Sequence, residues 1–482
     1  MDLQIYKDVF LFISHVVFVL TLGYYVISAL QWYSYRLERV VLNYKRYDWH
    51  MFFFLFPTFI YYVGGEYFLL YLYFIFLPTL YMWYKKLDKK LIFTSRVKRF
   101  FLFLFIATIF QNILCLISPL CELYGAILPV FVAVFISWLF EKILFEGYKK
   151  SAQKELYSRK DLVVIAITAS YGKTSIKNYL FQILSNKYKC YMTPRSVNTL
   201  GGIIKDINDD LPKDIEIYIV EAGARLKGDI NEIATFINPH YSIVGQIGEQ
   251  HLEYFKSLEN IRNTKMELIN SNRLQKAYVH QSANINPSEG IIVYGDELHN
   301  LKSTLDGLYF DVEIQAKVES FFTPLLGAFN ASNLLACIKV ALSFMSIEDI
   351  KLAISKLQGV EHRLQKIEAG GKIIIDDSFN GNFEGMVSSY NLVSTYDGRK
   401  VIVTPGIVES NIETNINLAK VIDNIFDLVI ITGKSNQEVL SQNIKKPEKL
   451  ILNDKSKLQD VLKEHTFVND LIIFSNDTPG FM

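Results

Sequence analysis

The residues at 163–175 have the types and spacing of a site that binds nucleotide phosphates. An apolar run of β-forming residues ends at Thr168, a short turn follows, and Lys173 and Thr174 open a segment with a helical pattern. At such a turn backbone N–H groups face the phosphates of a nucleoside triphosphate, the lysine adds positive charge, and the threonine hydroxyl can hold Mg²⁺. Ile167 stands where the general GxxxxGK[ST] pattern has its first glycine, so the prediction depends on the order of strand, turn and helix.

Three polar residues further along the chain suit a metal or phosphate site. Glu221 ends a predicted buried strand, His251 follows the next apolar strand, and Lys265 lies on a predicted helix. Ligands in open α/β sheets bind at the carboxyl ends of the strands, and a carboxylate buried there needs a cation. Glu221 is therefore interpreted either as a Mg²⁺ ligand or as a helix-capping acid. Taken alone, His251 also fits a structural histidine, and Lys265 fits a solvated charge.

The elements that position these residues alternate between strands and helices from about residue 155. In the first half the predicted elements are strand 162–168, helix 173–186, strand 215–221, helix 229–237, strand 241–246, helix 258–270 and strand 276–280. In the second half they are strand 372–376, helix 384–395, strand 399–404, helix 414–425, strand 427–432 and strand 470–474. This alternation predicts mainly parallel sheets covered by helices. We expect two α/β domains, a P-loop-type ATP-binding domain at 151–358 and a smaller, Rossmann-like domain at 359–482.

The first part of the chain, residues 1–150, is predicted to be a helical transmembrane domain. Apolar segments run near 8–31, 50–63, 66–83, 100–120 and 123–145. A bilayer span needs about 20 apolar residues, so the second and third segments are short or tilted and could form a hairpin. The first segment lacks the basic start and the small-residue cleavage site of a signal peptide. Buried core helices are the alternative interpretation of these segments.

Basic residues predict the orientation of the apolar segments. Lys and Arg cluster in the loops at 36–46 and 85–99, whereas the connections at 64–66 and 119–122 contain none. Because cytoplasmic loops carry the excess of basic residues, both basic loops are expected in the cytoplasm. About five spans then place the N-terminus outside and everything after residue 146 inside. We expect a multi-pass membrane protein whose α/β part lies in the cytoplasm, where ATP is available.

The composition argues against several other classes of protein. The formal net charge of the 482 residues is +1, so no overall field points to nucleic acid and no nucleic-acid partner is expected. The four cysteines, at positions 115, 121, 190 and 337, form no Cys-x-x-Cys pair. A disulfide framework or a zinc ribbon is therefore not expected, and a reducing compartment fits the cysteine usage.

Seven short motifs in the second part of the chain resemble those of one enzyme family. They are Thr168-Ala-Ser-Tyr-Gly-Lys-Thr-Ser175, Glu221-Ala-Gly-Ala224, His251-Leu-Glu253, Lys265, Gly327-Ala-Phe-Asn-Ala-Ser-Asn333, His362-Arg-Leu364 and Asp376-Asp-Ser-Phe-Asn-Gly-Asn382. In order and spacing they resemble the Mur ligases, ATP-dependent enzymes that form amide bonds in peptidoglycan synthesis. The resemblance covers about 155–482. Its last motif looks most like the branch that adds D-alanyl-D-alanine to a UDP-linked tripeptide.

The resemblance implies ATP as the nucleotide and two bound Mg²⁺ ions. The residues that it implies for nucleotide binding are Thr168, Ser170, Gly172, Lys173, Thr174, Ser175, Asn330, Arg363, Asp377 and Asn380. Those implied for the metal sites are Thr174, Glu221, His251 and Lys265, the last as a carbamate formed with CO₂. The implied catalytic residues are Lys173, Lys265, His251 and Arg363. Ala169 stands where the family has a glycine, so the turn must accommodate a Cβ.

The reaction that the resemblance implies joins a carboxylate to an amine through an acyl phosphate. The implied substrates are a UDP-muramyl peptide and D-Ala-D-Ala, and the implied partners are the membrane and membrane-bound enzymes of cell-wall synthesis. Apolar segments occupy the place of the family's N-terminal uridine-binding domain. Two alternatives therefore stay open: a Mur-type ligase that acts on a lipid-linked or other cell-envelope acceptor, and a non-catalytic membrane scaffold that only binds nucleotide.

Overall fold

The chain forms two compact units, Met1–Lys149 and Lys150–Met482. The computed structural model describes residues 2–33, 35–42, 47–87, 89–115, 117, 125–249, 255–379, 381–408 and 410–477. Within these ranges the first unit is helical, and every β-strand belongs to the second. The predicted change of character near residue 150 therefore coincides with a boundary between compact units.

The first unit consists of helices with two π-helical turns. Its α-helices are α1 (Asp2–Trp32), α2 (Leu37–Leu42), α3 (Tyr47–His50), α4 (Phe56–Val63), α5 (Tyr67–Tyr71), α6 (Leu77–Lys86), α7 (Ser95–Cys115) and α8 (Ile127–Ser158). The π-helical turns are π1 (Met51–Leu55), which joins α3 to α4, and π2 (Leu72–Phe76), which joins α5 to α6. α8 continues past Lys149 and becomes the first helix of the second unit.

Four helical runs among the described residues are long and apolar enough to cross a membrane, by length and composition. They are Gln4–Trp32, Tyr67–Lys86, Ser95–Cys115 and Ile127–Ser158. The predicted segment 50–63 is also helical, but the run that contains it is not one of the four. Large apolar side chains such as Phe105 and Phe135 are exposed along these runs. An exposed apolar surface of this extent is typical of a membrane or partner interface.

Close packing of α1 against α7 depends on a glycine. Phe18, Leu22, Phe100 and Leu104 are fully buried in the core of this unit. A Cβ built on Gly23 would lie 2.1 Å from Leu104 Cδ2, so a larger residue fits only if the Leu104 side chain moves. Small residues at helix–helix contacts allow the backbones to approach in this way.

The cysteines depart from the expectation at one position. Cys115, the last residue of α7, is disulfide-bonded, whereas Cys190 and Cys337 are free thiols. The sequence argued against a disulfide framework, and the cysteine spacing did not predict this bonded cysteine at the end of α7. Disulfides persist in oxidising environments, and the predicted orientation places this end of α7 outside the cytoplasm. The free thiols of the second unit fit a reducing compartment.

The second unit begins with a six-stranded parallel sheet in the order β2-β3-β1-β4-β5-β6. Its strands are β1 (Val163–Thr168), β2 (Cys190–Met192), β3 (Ile217–Glu221), β4 (Tyr241–Val244), β5 (Lys276–His280) and β6 (Ile291–Tyr294). The connecting helices are α9 (Lys173–Leu184), α10 (Leu200–Asp209), α11 (Asp229–Ile237), α12 (Leu258–Met266) and two 3₁₀ turns, Glu267–Ile269 and Gln281–Ala283.

The apolar run of β1 explains why helices cover both faces of this sheet. Ile165 and Ile167 point into one hydrophobic core, and Val164 and Ala166 point into another. Successive side chains of a strand face opposite sides, so a strand without polar residues must be buried on both. β1 therefore lies inside the sheet, with β3 and β4 as its neighbours.

A three-stranded antiparallel sheet and two helices follow, none of which the sequence patterns predicted. They are β7 (Leu298–Thr304), β8 (Gly307–Ile314), β9 (Lys317–Thr323), α13 (Phe329–Ala341) and α14 (Ile347–Ile354). Phe310 and Phe321 stack with ring centroids 5.4 Å apart and join the same core as Ile165. This small sheet thus closes one face of the first sheet.

The last part of the chain has its own six-stranded sheet in the order β10-β11-β15-β12-β13-β14. Its strands are β10 (Gln365–Ala369), β11 (Lys372–Asp377), β12 (Lys400–Thr404), β13 (Leu428–Thr432), β14 (Glu448–Leu452) and β15 (Leu471–Ser475). Its helices are α15 (Phe383–Ser394), α16 (Ile412–Ile425), α17 (Gln437–Asn443), α18 (Leu458–His465) and the 3₁₀ turn Lys455–Lys457. Only β10 runs antiparallel to its neighbour.

The predicted α/β fold with mainly parallel sheets is confirmed. All the predicted strands and helices of this part occur within a few residues of their predicted bounds. The predicted domain boundary at 358/359 stays a prediction, because both sheets belong to one compact unit.

Candidate functional site

The phosphate-binding turn connects the end of β1 to the start of α9. Gly172 precedes Lys173, the first residue of α9, with φ at +80°, a region that favours glycine. A Cβ built on Gly172 would lie 2.3 Å from Asn333 Oδ1, so its backbone approaches an amide of α13 closely. The glycine is therefore required both by its conformation and by its neighbour.

Hydrogen bonds tie this turn to the adjacent strand ends. Thr168 Oγ1 donates to the carbonyl oxygen of Ala222 at 2.8 Å, just after β3. Ser170 donates from its backbone N–H to Gln246 O at 2.9 Å and from Oγ to Gly248 O at 3.0 Å, just after β4. Thr168 and Ser170 thus hold the loop in place rather than facing solvent, and the N–H groups at the start of α9 remain for an anion.

Ala169, which replaces a family glycine, is accommodated by a second glycine across the sheet edge. Ala169 is fully buried. A Cβ built on Gly245 would lie 2.9 Å from Ala169 Cβ and 3.0 Å from Ile176 Cδ1. The missing side chain at Gly245 therefore provides the room that the extra methyl group of Ala169 needs.

Lys173 is held at the loop by carbonyl groups. Its Nζ donates to the backbone oxygens of Ala169 and Ser170 at 2.8 and 3.2 Å. Burial lowers the pKa of Lys173 to about 8, while the Glu221 carboxylate opposes this shift and the Arg363 guanidinium adds to it. A bound phosphate would favour the charged form of this lysine, so the site is poised for an anion.

Glu221 lies at the carboxyl end of β3, where Ile167 of β1 is its register partner. Its side chain is buried, and Asn198 Nδ2 donates to Oε1 at 3.1 Å. Oε2 lies 3.3 Å from Lys177 Nζ, but the geometry of that contact is not that of a hydrogen bond, and Oε2 has no hydrogen-bond partner in the described residues. A buried carboxylate oxygen without a hydrogen bond fits a Mg²⁺ ligand.

Lys177 is a residue of this site that the sequence patterns did not single out. Its side chain is fully buried on α9, and its Nζ donates to the backbone oxygens of Thr193 and Arg195. Burial lowers the pKa of Lys177, and the Glu221 carboxylate raises it. Lys177 therefore joins α9, the loop after β2 and the end of β3. The available signal was a lysine on the apolar face of a helix, which needs a carboxylate partner.

Lys265, on α12, is a buried lysine without a hydrogen bond or an ion pair in the described residues. Burial and, to a smaller extent, the charge on Lys173 lower its pKa from the ordinary value of 10.5 to about 7. The carboxylates of Asp229, Glu221 and Glu267 act in the opposite direction. About half of the Lys265 amines are therefore neutral near pH 7, which is the form that reacts with CO₂.

The acid two residues after Lys265 has a structural role. Glu267 accepts hydrogen bonds from the backbone N–H groups of Gly228 and Asn231, at the start of α11. This carboxylate caps the helix end. His251, the other predicted metal ligand, lies outside the described residues, and its role stays a prediction. Among the described residues no three His, Cys, Asp or Glu side chains cluster as a metal site.

The two asparagines of α13 differ in their distance from the phosphate loop. Asn330 is buried, accepts from Tyr179 OH and from Asn333 Nδ2 at 3.2 and 3.1 Å, and donates to Leu326 O at 2.7 Å. All of these hydrogen bonds join the Asn330 side chain to other groups of the protein, and its predicted contact with the nucleotide stays a prediction. Asn333 is the one of the two that packs against Gly172.

Arg363 reaches the phosphate loop electrostatically from the start of the second sheet. Its charge lowers the pKa of both Lys173 and Lys177. The residues on either side of it, His362 and Leu364, have φ values of +63° and +53°, so this turn is strained. His362 Nδ1 lies 2.7 Å from Asp376 Oδ2, a contact that anchors the strained turn to β11.

Asp377 ends β11 and is buried, and Ser389 Oγ donates to its Oδ2 at 2.7 Å. Asn382 caps α15 by accepting from Gly385 N at 2.8 Å. Asn380 lies outside the described residues, so its predicted nucleotide contact stays a prediction. Thr174 and Ser175 occupy the first turn of α9, where the family pattern expects them.

The charges of this region suit a polyphosphate. The Glu221 carboxylate raises the pKa of three lysines, Lys173, Lys177 and Lys265, and the charge of Lys173 lowers the pKa of Lys265. Arg363 adds a fourth positive charge. An excess of cations at a sheet edge attracts an anionic ligand and stabilises charge on it.

Comparisons with known proteins agree with this geometry. Residues 167–341 match the family model described as the Mur ligase middle domain. The UDP-N-acetylmuramoyl-tripeptide--D-alanyl-D-alanine ligase of Bacillus subtilis (strain 168) is 27% identical over 336 residues, which are 64% of this chain and 72% of that protein. The ligase of the same name from Borreliella burgdorferi is 29% identical over 48% of this chain and 52% of that protein. The chain thus spans between about half and three quarters of these relatives.

Solved structures share the fold. MurF from Acinetobacter baumannii superposes with a TM-score of 0.62 at 22% identity, over 69% of this chain and 78% of that one. MurF from Thermotoga maritima in complex with ADP gives a TM-score of 0.59 at 23% identity, over 69% of this chain and 80% of that one. By the middle-domain match, these relatives and these solved structures, the chain is similar to the Mur ligases, and most of all to those of the MurF type.

Proposed function

We propose that this chain is an ATP-dependent amide-bond ligase that adds D-Ala-D-Ala to UDP-MurNAc-tripeptide. The observation that carries the proposal is the convergence of the phosphate loop, Glu221 and Lys265 at the carboxyl edge of the first sheet. The relatives in curated collections bear the name of this activity. The substrate carboxylate attacks the γ-phosphorus of ATP, ADP leaves, and the amine then displaces phosphate from the acyl phosphate to form the amide.

The residues of the loop hold and neutralise the phosphates. Backbone N–H groups at the start of α9 face the phosphate chain, and Lys173 exchanges its carbonyl contacts for phosphate oxygens. Thr174, Glu221 and the predicted ligand His251 would hold the Mg²⁺ ions, which would neutralise phosphate charge. Preorganised positive charge of this kind stabilises the negative charge that spreads over the transferring group.

Lys265 supplies the remaining metal ligand as a carbamate. Its neutral amine attacks CO₂, a C–N bond forms, one proton leaves to solvent, and the neutral amine becomes a carbamate anion. The positive charge of Lys173, which disfavours the ammonium form of Lys265, favours this anion. Burial, the larger cause of the lowered pKa, disfavours both charged forms, so the carbamate depends on nearby cations for its stability.

Arg363 completes the site from the second sheet. Its guanidinium contacts the γ-phosphate when the two α/β parts close on ATP, which places a charge at the transferring group only in the closed state. The strained turn that carries Arg363 is fixed by the His362–Asp376 contact, so its position is set before the nucleotide binds.

The test is release of ADP from ATP by the purified full chain with UDP-MurNAc-tripeptide and D-Ala-D-Ala, with the ligated product identified by mass spectrometry. We expect turnover that needs both substrates and is abolished by Lys173→Ala. Folded protein that binds ATP but forms no product with this pair would rule out the substrate assignment. Lys173→Ala with unchanged turnover would rule out the site.

A lipid-linked acceptor is the second candidate, and the four apolar helices of the first unit favour it. We propose that these helices insert in the bacterial inner membrane with the α/β part in the cytoplasm, where membrane-bound cell-wall enzymes are partners. In the same assay a lipid-linked muramyl tripeptide competes with the soluble nucleotide. Higher kcat/KM for the lipid-linked substrate would support this candidate over the first.

A further inference from the structure

A cavity of about 920 Å³ lies within the helical unit, and both π-helical turns of the described chain contribute to its wall. Phe52 and Phe53 come from π1, and Ile75 and Phe76 come from π2. π-helical turns are rare and occur frequently at functional sites. Volumes of about 300–1,000 Å³ are typical of small-molecule sites. The cavity therefore has the size and the local backbone features of a binding site.

Three of the four tryptophans of the chain line this cavity. Trp83 lies with its ring centroid 5.7 Å from that of Trp32 and 5.6 Å from that of Trp49. Trp32 Nε1 donates to Lys89 O at 3.0 Å, but Trp83 Nε1 is buried and has no hydrogen-bond partner in the described residues. This N–H group is buried behind the cavity surface, so the tryptophans offer a ligand mainly apolar ring surface.

Among the residues that the structure describes, the charged groups that line the cavity are Lys86, Lys89 and Asp48, and each is exposed. Lysine charges outnumber the single carboxylate, so the mouth favours an anion. An aromatic cavity can also hold a quaternary ammonium by cation–π attraction, but two lysines at the mouth repel such a cation. The charge balance therefore selects an anionic headgroup.

The rest of the lining is apolar and open to the surroundings. Phe52, Phe56, Ile75 and Met82 line the cavity and are exposed, each by about half or more of its surface. An opening bordered by such side chains admits a hydrocarbon chain rather than a polar ligand. The cavity thus combines a hydrocarbon-facing side with a cationic mouth.

We propose that this cavity binds an anionic phospholipid, with its phosphate at Lys86 and Lys89 and its hydrocarbon chain along the tryptophans. The site does not depend on the ligase reaction, but it rests on the proposed insertion of the helical unit in a membrane. Its location at the basic loop 85–99 places the headgroup at the cytoplasmic surface.

The tryptophans make the site measurable in the full-length protein. Trp138→Phe removes the fourth tryptophan, which lies outside the cavity lining, so that the remaining fluorescence reports on the cavity. The protein is reconstituted in bilayers of phosphatidylcholine and titrated with phosphatidylglycerol or phosphatidylcholine that carry identical brominated chains, which quench tryptophan on contact. We expect half-maximal quenching at a mole fraction of brominated phosphatidylglycerol at least fivefold lower than that of brominated phosphatidylcholine.

A matched pair of variants assigns the selectivity. Lys86→Gln/Lys89→Gln is expected to abolish the preference, whereas Lys85→Gln/Lys90→Gln, which removes the same charge from exposed lysines of the same loop outside the lining, leaves it. Equal quenching by both lipids, or loss of selectivity in both double variants, overturns the proposal.

Two further arms separate the possible sources of failure. Inorganic phosphate in excess should not reverse the quenching, and reversal would show an anion site without a lipid. In the unaltered protein, exposed Trp138 reports on insertion, because brominated phosphatidylcholine quenches it in any bilayer-inserted helical unit. Quenching of Trp138 without lipid selectivity at the cavity overturns the lipid site alone, and absence of both overturns the membrane placement on which it rests.

Discussion

Lys177 and Glu221 form a buried pair of opposite charges in the candidate site. Both side chains are almost completely buried, and Lys177 Nζ lies 3.3 Å from Glu221 Oε2. Lys177 donates its hydrogen bonds to two backbone carbonyl oxygens instead of to the carboxylate. Removal of one partner of a buried pair leaves an uncompensated charge. Glu221 Oε2 therefore lies beside the Lys177 charge but accepts no hydrogen bond in the described residues. This oxygen is available to bind a metal ion.

Lys177→Met is expected to lower kcat about 10- to 100-fold and to raise the Mg²⁺ concentration needed for half-maximal activity, since groups that orient metal ligands have effects of this size. The control is Lys339→Met, which removes a lysine ion-paired with Glu297 at 2.6 Å and outside the candidate site. Both variants are measured by ADP release over a Mg²⁺ titration. An unchanged Mg²⁺ dependence in Lys177→Met would mean that Lys177 only stabilises the fold.

Carbamate formation at Lys265 predicts a response to pH and to CO₂. The pKa of Lys265 is lowered to about 7, so the amine is neutral above pH 7 and protonated below it. Only the neutral amine reacts with CO₂, and activity is therefore expected to fall as pH drops through about 7. Activity at pH 7 should decrease in CO₂-depleted buffer and recover with bicarbonate. Lys265→Arg, which cannot form the carbamate, should show no bicarbonate response. A bicarbonate response that persists in Lys265→Arg contradicts the assignment.

At the scale of elements, the sheet edge is built from small residues that let the ends of β1, β3 and β4 approach. Gly245→Ala places a methyl group 2.9 Å from Ala169 Cβ and should push the phosphate loop out of position. We expect about a tenfold loss in ATP affinity, or about 1.4 kcal/mol, measured by calorimetry on the full chain. Ala169→Gly in the same chain should restore the affinity. Equal losses with and without Ala169→Gly would mean that the methyl–methyl contact is not the cause.

The helical unit offers a similar test of packing between α1 and α7. Gly23→Ala places a Cβ 2.1 Å from Leu104 Cδ2, and overpacking of this kind costs about 1–3 kcal/mol. The thermal unfolding temperature of the detergent-solubilised protein should fall. Leu104→Ala creates a cavity and also destabilises, but the double variant is expected to be more stable than the sum of the two losses implies. If the losses of stability in the two single variants simply add in the double variant, contact with Leu104 is not the cause of the destabilisation by Gly23→Ala.

At the scale of the whole molecule, the proposed topology puts the basic loops and the α/β part on the cytoplasmic side. Cysteines introduced at Glu66 and Lys89, both exposed, report on the two sides in a chain whose Cys190 is replaced by serine. The same chain without an introduced cysteine gives the labelling background of the remaining native cysteines. In intact cells a membrane-impermeant maleimide should label Glu66→Cys and not Lys89→Cys, and in inverted vesicles the pattern should reverse. Labelling of both from the same side would exclude the five-span topology.

Much of the α/β part was predictable from the sequence because its strands are apolar on both faces. The run before Thr168 could only be an internal strand, and the glycine, lysine and threonine after it could only serve a helix start. The three-stranded sheet of β7, β8 and β9 was missed, because its strands mix polar and apolar residues and have no chemistry to mark them. The disulfide at Cys115 was missed because spacing alone does not show which cysteines meet.

The sequence by itself determined the order of apolar segments, parallel strands and phosphate loop, because each is a local pattern of hydrophobicity and turn residues. Only the tertiary structure decided which distant groups meet. It placed Lys177 beside Glu221, Gly245 opposite Ala169 and Asn333 against Gly172, and it brought two π-helical turns and three tryptophans around one cavity. These pairings depend on how strands and helices that are far apart in the chain pack together. A local sequence pattern does not show which distant elements will be neighbours.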